Sequence, residues 1–167
     1  MRCLLIMSIL ASCLLTGSKV FAGDDALTPF LGAWEYRQRN SASPTGYDDE
    51  AERLELYEKG GSIQGLYFGL ERAGDHGLLY TLVEIKNVEV SEVGKITFIV
   101  PSRFLYPVRP SSLDEAEEMN KHQTVGFTRI ELKFRGQLKN GHLILQCISD
   151  PGECPEDVMI FRKGKWN

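Results

Sequence analysis

The residues of this chain whose types could do chemistry are three histidines, two runs of carboxylates and a pair of cysteines near the C-terminus. A hydrolase needs a nucleophile beside a base, or two carboxylates held at a set distance. His76, His122 and His142 each stand outside any His-x-x-x-His or Gly-x-Ser-x-Gly pattern and read as surface or turn histidines. The Asp48-Asp49-Glu50 run offers oxygen ligands to a hard cation but lacks the Asp-x-Asp-x-Asp-Gly order, so a solvated loop is expected. Gly60-Gly61 and Gly65 sit among alternating apolar residues with no helix start behind them, which is not a phosphate cradle. The sequence thus predicts no enzyme, no cofactor and no metal centre.

Cys147 and Cys154 enclose Ile148 to Glu153, a stretch containing Asp150-Pro151-Gly152. Proline fixes φ and glycine permits positive φ, so this is a turn. Two cysteines this close in an exported chain predict a disulfide that staples the turn, whereas a zinc pair would need a second Cys/His pair. Export is expected from the start of the chain. Met1-Arg2, the apolar run Cys3 to Leu15 and the small-residue pattern Val20-Phe21-Ala22 describe a signal peptide over residues 1–22, cut after Ala22. A second reading takes Leu10-Ala11-Ser12-Cys13 as a lipoprotein box with Cys13 lipidated.

Residues 23–167 then form one domain, periplasmic or secreted. Loss of Arg2 and Lys19 takes the net charge from −4 to −6. An acidic domain has no general attraction for nucleic acid, so that class of partner is excluded. No later apolar run is long enough to span a membrane as a helix.

The elements that must position any site read as β almost throughout. Leu54 to Tyr57 alternates, Lys59-Gly60-Gly61 turns, and Ser62 to Leu70 returns. Leu78 to Ile85, Lys86 to Val93, Ile96 to Val100, Thr128 to Phe134, His142 to Ile148 and Val158 to Arg162 follow, and Asn140-Gly141 marks a tight hairpin. Ile130, Leu132 and Phe134 are expected on one face. Ser112, three residues before Glu115, opens a capping box, so one short helix is expected over about Leu113 to Lys121. The fold class is all-β, an antiparallel barrel of about eight to nine strands, with a β-sandwich as the alternative.

Phe30-Leu31-Gly32-Ala33-Trp34 resembles the first-strand signature of the lipocalin-like, or calycin-type, barrels, in which Gly-x-Trp closes the barrel floor. The resemblance implies structural roles for Gly32 and Trp34, and for Arg162 as the basic residue packed over the indole. It implies a binding protein: exported, non-enzymatic, and holding a small apolar or envelope-derived ligand. Tyr57, Tyr67, Phe68, Tyr80 and Phe98 lie on or beside strands and are the candidates to line a cavity. The alternative is a periplasmic inhibitor or immunity-type protein that blocks an extracellular enzyme. Asp48, Asp49, Glu50, Phe104 and Tyr106, in two long connections, are its candidate contact residues.

Overall fold

The computed structural model describes residues 27–39, 41–47, 49–72, 77–91, 94–150 and 152–164. The signal peptide, the cut after Ala22, Cys13, Asp48 and His76 lie outside the described residues. A short turn at Thr28–Phe30 leads into β1 (Gly32–Tyr36), and the chain then folds as β2 (Glu52–Lys59), β3 (Ser62–Arg72), β4 (Leu78–Glu84), β5 (Lys86–Ser91) and β6 (Lys95–Val100). An excursion follows: β7 (Arg103–Leu105), α1 (Leu113–Asn120) and β8 (Gly126–Thr128). The chain re-enters the sheet with β9 (Leu132–Lys139), β10 (His142–Cys147) and β11 (Val158–Lys163).

Nine strands form one antiparallel sheet in the order β4-β3-β2-β1-β11-β10-β9-β6-β5. Its two edge strands, β4 and β5, are successive in sequence and separated by Ile85 alone. Ile85 N–H donates to Gly65 O of β3 at 3.0 Å, so the sheet comes round on itself as a nearly closed barrel, and the sandwich alternative falls away. A barrel of this kind leaves little free edge for other chains to pair with.

Alternation decides what fills it. Trp34 and Tyr36 of β1, Leu54 and Leu56 of β2, Phe98 of β6, Phe134 of β9, Leu145 of β10 and Phe161 of β11 point inward and make one packed core. Gly32 holds φ at 110°, a region side-chain-bearing residues avoid, and this allows the entry turn before Trp34. Asn140 and Gly141, at φ 53° and 74°, make the tight β9–β10 hairpin that their sequence predicts.

A second, smaller core lies outside the barrel. Ser112 Oγ accepts from Glu115 N at 3.1 Å and caps α1, whose Ala116 and Met119 pack on Phe68, Leu82 and Tyr106. The expected strand Thr128 to Phe134 is interrupted: β8 stops at Thr128, β9 begins at Leu132, and Ile130 is exposed. The carbonyls between them go to side chains instead of a ladder. Ser102 Oγ donates to Arg129 O, and Arg103 Nη1 to Ile130 O.

Candidate functional site

The barrel has a floor at Trp34 and a mouth where β2 begins, β3 ends and β4 starts. Inward positions near the mouth should continue the apolar core, yet here they carry polar groups. Glu52 stands in register with Leu54 and Leu56 and is 1% exposed. Its Oε2 accepts from the Tyr67 hydroxyl, and its Oε1 accepts from Gln38 Nε2 at 3.3 Å. Burial pushes the Glu52 carboxyl up to about 7, against the opposing pull of the Tyr67 and Gln38 hydrogen bonds and the Arg103 charge. The Tyr67 phenol is driven far above its ordinary range by burial and by Glu52.

Arg103, just beyond the mouth end of β6, is 7% exposed. Its Nη2 lies 3.0 Å from Glu71 Oε1 and its Nη1 donates to the Ile130 carbonyl at 3.2 Å. Thr81, central in β4, is 2% exposed. Two side-chain atoms here, Thr81 Oγ1 and Arg103 Nε, are buried without a hydrogen-bond partner. An unmet buried donor or acceptor costs about 1–3 kcal/mol, so such atoms call for an explanation.

Both residues line a cavity of about 350 Å³ at the mouth, with Tyr67 at its side and the Cys147–Cys154 loop across from them. Gly69 keeps this space open, since a Cβ there would stand 2.6 Å from the Tyr67 ring and 2.8 Å from Thr81 Cγ2. Cys147 and Cys154 are bonded, with Cα atoms 5.8 Å apart, and hold the loop as a fixed wall. Nearby, burial and a hydrogen bond to Glu156 raise the Tyr36 phenol.

No family model, curated protein or solved structure matches this chain. The site must therefore be read from its own groups.

The five aromatics expected to line one cavity are dispersed, because neighbouring strand positions face opposite ways. Tyr67 alone reaches the mouth cavity. Phe98 is in the core, its ring centroid 5.3 Å from that of Phe134. Phe68 is buried on the outer face against α1, Tyr57 is half-buried on β2, and Tyr80 bridges to Tyr106 beneath Arg109. Tyr106 is also not a contact residue: it is 2% exposed and its hydroxyl donates to Asn120 Oδ1, pinning α1. Phe104 is exposed and packs on Phe127 at 4.9 Å.

The acidic loop is tied down. The Asp49 carbonyl accepts from Arg37 at 2.6 Å, and Glu50 lies 3.2 Å from Arg109. At the floor, the cation over the Trp34 indole is Lys163, 4.1 Å from its centroid, and not Arg162. Arg162 stands opposite Glu35 in the β1–β11 register and points outward, whereas Lys163 is the register partner of Trp34 and shares the face of Phe161.

Sequence reading missed Glu52, Thr81 and Arg103. A signal existed for two of them: Glu52 continues the inward register of Leu54 and Leu56, and Thr81 interrupts an apolar run. Among the described residues no group of histidines, cysteines and carboxylates could hold a metal ion, and no helix is long and apolar enough to cross a membrane.

Proposed function

We propose that this chain is an exported, non-enzymatic β-barrel binding protein, lipocalin-like in build, whose ligand enters the mouth and is small and polar. The observation that carries this reading is the pair of buried, unpartnered atoms, Thr81 Oγ1 and Arg103 Nε, on two residues that line one cavity. A ligand that offers an acceptor to the guanidinium and a partner to the hydroxyl removes both penalties. An apolar ligand removes neither, and the packed core leaves the strand aromatics no shared cavity in which to hold one. Export is supported by the basic-then-apolar start of the sequence and by the disulfide.

A second reading, inhibition of an extracellular enzyme, draws on the exposed Phe104–Phe127 pair at the rim. Native mass spectrometry of the protein taken from its own compartment separates the two. A small-molecule adduct that is lost from Thr81→Val and Arg103→Leu supports the mouth site. A protein adduct lost from Phe104→Ser and Phe127→Ser replaces it with the inhibitor reading.

A further inference from the structure

A second space, of about 490 Å³, opens on the outer face of β11 and is lined by other residues than the Thr81 cavity. Its floor is β11, where Val158 and Ile160 point outward at 49% and 52% exposure. Their register partners on β10 are Gln146 and Ile144, and Ile144 is half-buried, so the apolar strip extends onto the next strand. The outer face of a barrel strand ordinarily carries polar groups, and an apolar strip there marks a contact surface. One side of the groove is built by the chain leaving β1. Arg39 forms a β-bridge with Tyr47, which holds the exposed Tyr47 side chain against the same space.

The charge of this groove runs against that of the whole chain. The sequence carries −4, yet three arginines, Arg37, Arg39 and Arg162, line the groove against two carboxylates, Glu35 and Glu156. Glu156 acts on the Tyr36 phenol and helps to raise its pKa. Glu35 is the cross-strand partner of Arg162, but among the described residues no ion pair joins them. Arg37 is anchored on the Asp49 carbonyl. Arg39 and Arg162 thus present guanidinium groups to the groove with no carboxylate within salt-bridge distance among the described residues.

We propose that this groove is a second binding site, for a small organic anion with an apolar body. The guanidinium forks of Arg39 and Arg162 take the carboxylate or a similar oxyanion, and Tyr47, Val158 and Ile160 cover the apolar part. Guanidinium donors match planar oxyanions bidentately, and such charge-assisted hydrogen bonds are about twice as strong as neutral ones. The volume falls within the range of about 300–1,000 Å³ usual for small-molecule clefts and is too small for a folded partner. No lining residue is shared between the two spaces, which lie side by side: Gln38 and Pro155 line the mouth, and their neighbours Arg37, Arg39 and Glu156 line the groove.

The test is isothermal titration of the full chain with octanoate, with octylammonium and octan-1-ol as head-group controls. Octanoate is expected to bind at one saturable site, more tightly than either control, and more weakly as salt rises. Arg39→Gln and Arg162→Gln are each expected to weaken it on the order of tenfold, the loss of one charge-assisted contact. Both positions are exposed, so unchanged circular dichroism and unchanged urea midpoints show that the variants fold. Thr81→Val, at the mouth, is expected to leave octanoate binding as it was. Equal binding of octanoate and octylammonium, or octanoate affinity unaltered in both arginine variants, overturns the proposal. Loss of octanoate binding in Thr81→Val overturns it too, by placing the anion in the mouth.

Discussion

The Tyr67 hydroxyl donates to Oε2 of Glu52 inside the barrel, and burial raises that carboxyl from 4.5 to about 7. Between those two values the folded protein keeps a proton that the unfolded chain has lost. Stability is therefore greatest below 4.5 and declines as pH rises, and the contribution is gone above about 7. The whole fall is on the order of 3 kcal/mol, the linkage value of such a shift. Glu52→Gln is neutral throughout, so the difference between wild-type and variant urea midpoints should widen in the variant's favour from pH 5 to pH 7.5. Parallel curves would show that Glu52 titrates as it does in water.

Tyr67→Phe removes the donor and leaves the buried Glu52 Oε2 without its hydrogen bond. Because that hydrogen bond lowers the carboxyl's pKa, its loss moves Glu52 further up. The cost should be about 1–3 kcal/mol and larger at pH 8 than at pH 5, since it is the carboxylate that needs the donor. Chemical denaturation at the two pH values reads this directly. A cost that is the same at both would mean that lost packing of the ring edge dominates.

How much of this was legible in the sequence follows from register. Leu54 and Leu56, the Asn140-Gly141 turn and the Ser112 cap are local signals, and each gave its element correctly. The polar cluster is non-local. Glu52, Thr81 and Arg103 come from three separate segments: the β2–β3–β4 register, with Arg53 opposite Phe68 and Gly69 opposite Thr81, sets the first two at one end, and Arg103 arrives there from beyond β6. The aromatics failed for a related reason: residue type does not say which face a strand position takes, and one step along the strand reverses it. That same step separates Arg162 from Lys163. Thr128 to Phe134 looked like one strand because its apolar alternation is real, but side-chain donors from Ser102 and Arg103 claim its backbone carbonyls, and no sequence period reports that.

Gly69 is the position where the mouth can be closed by one carbon. An alanine Cβ would meet Tyr67 and Thr81 well inside contact distance, and the ring must shift away. Gly69→Ala should cost about 1–3 kcal/mol, as overpacking does. It should also abolish binding of the mouth ligand while leaving octanoate in the outer groove unaffected. Retention of mouth ligand by a folded Gly69→Ala protein would remove the cavity from the mechanism.

The disulfide closes a short loop, with Cys147 and Cys154 seven residues apart. A loop of this length constrains the unfolded chain modestly, so Cys147→Ser with Cys154→Ser should lower stability by about 2 kcal/mol. Since the loop forms one wall of the mouth cavity, ligand affinity there should fall as well. A double variant that loses stability but binds the mouth ligand normally would assign the bridge to folding alone.

At the floor, Lys163 Nζ lies over the Trp34 ring and donates to the Leu31 carbonyl, while Trp34 Nε1 donates to the Phe30 carbonyl at 2.7 Å. The indole is thus held by a backbone acceptor along its edge and a cation on its face. Burial lowers the pKa of the Lys163 ammonium, but the carbonyl and the ring supply the negative potential that keeps it in place. Lys163→Ala removes both contacts and should destabilise the fold by about 1–2 kcal/mol, whereas Arg162→Ala, on the outer face, should stay within about 0.5 kcal/mol of wild type. Urea unfolding of the two variants side by side tests the assignment. Equal losses would mean that the floor is closed by strand pairing of β1 with β11, and that the cation over Trp34 contributes nothing of its own.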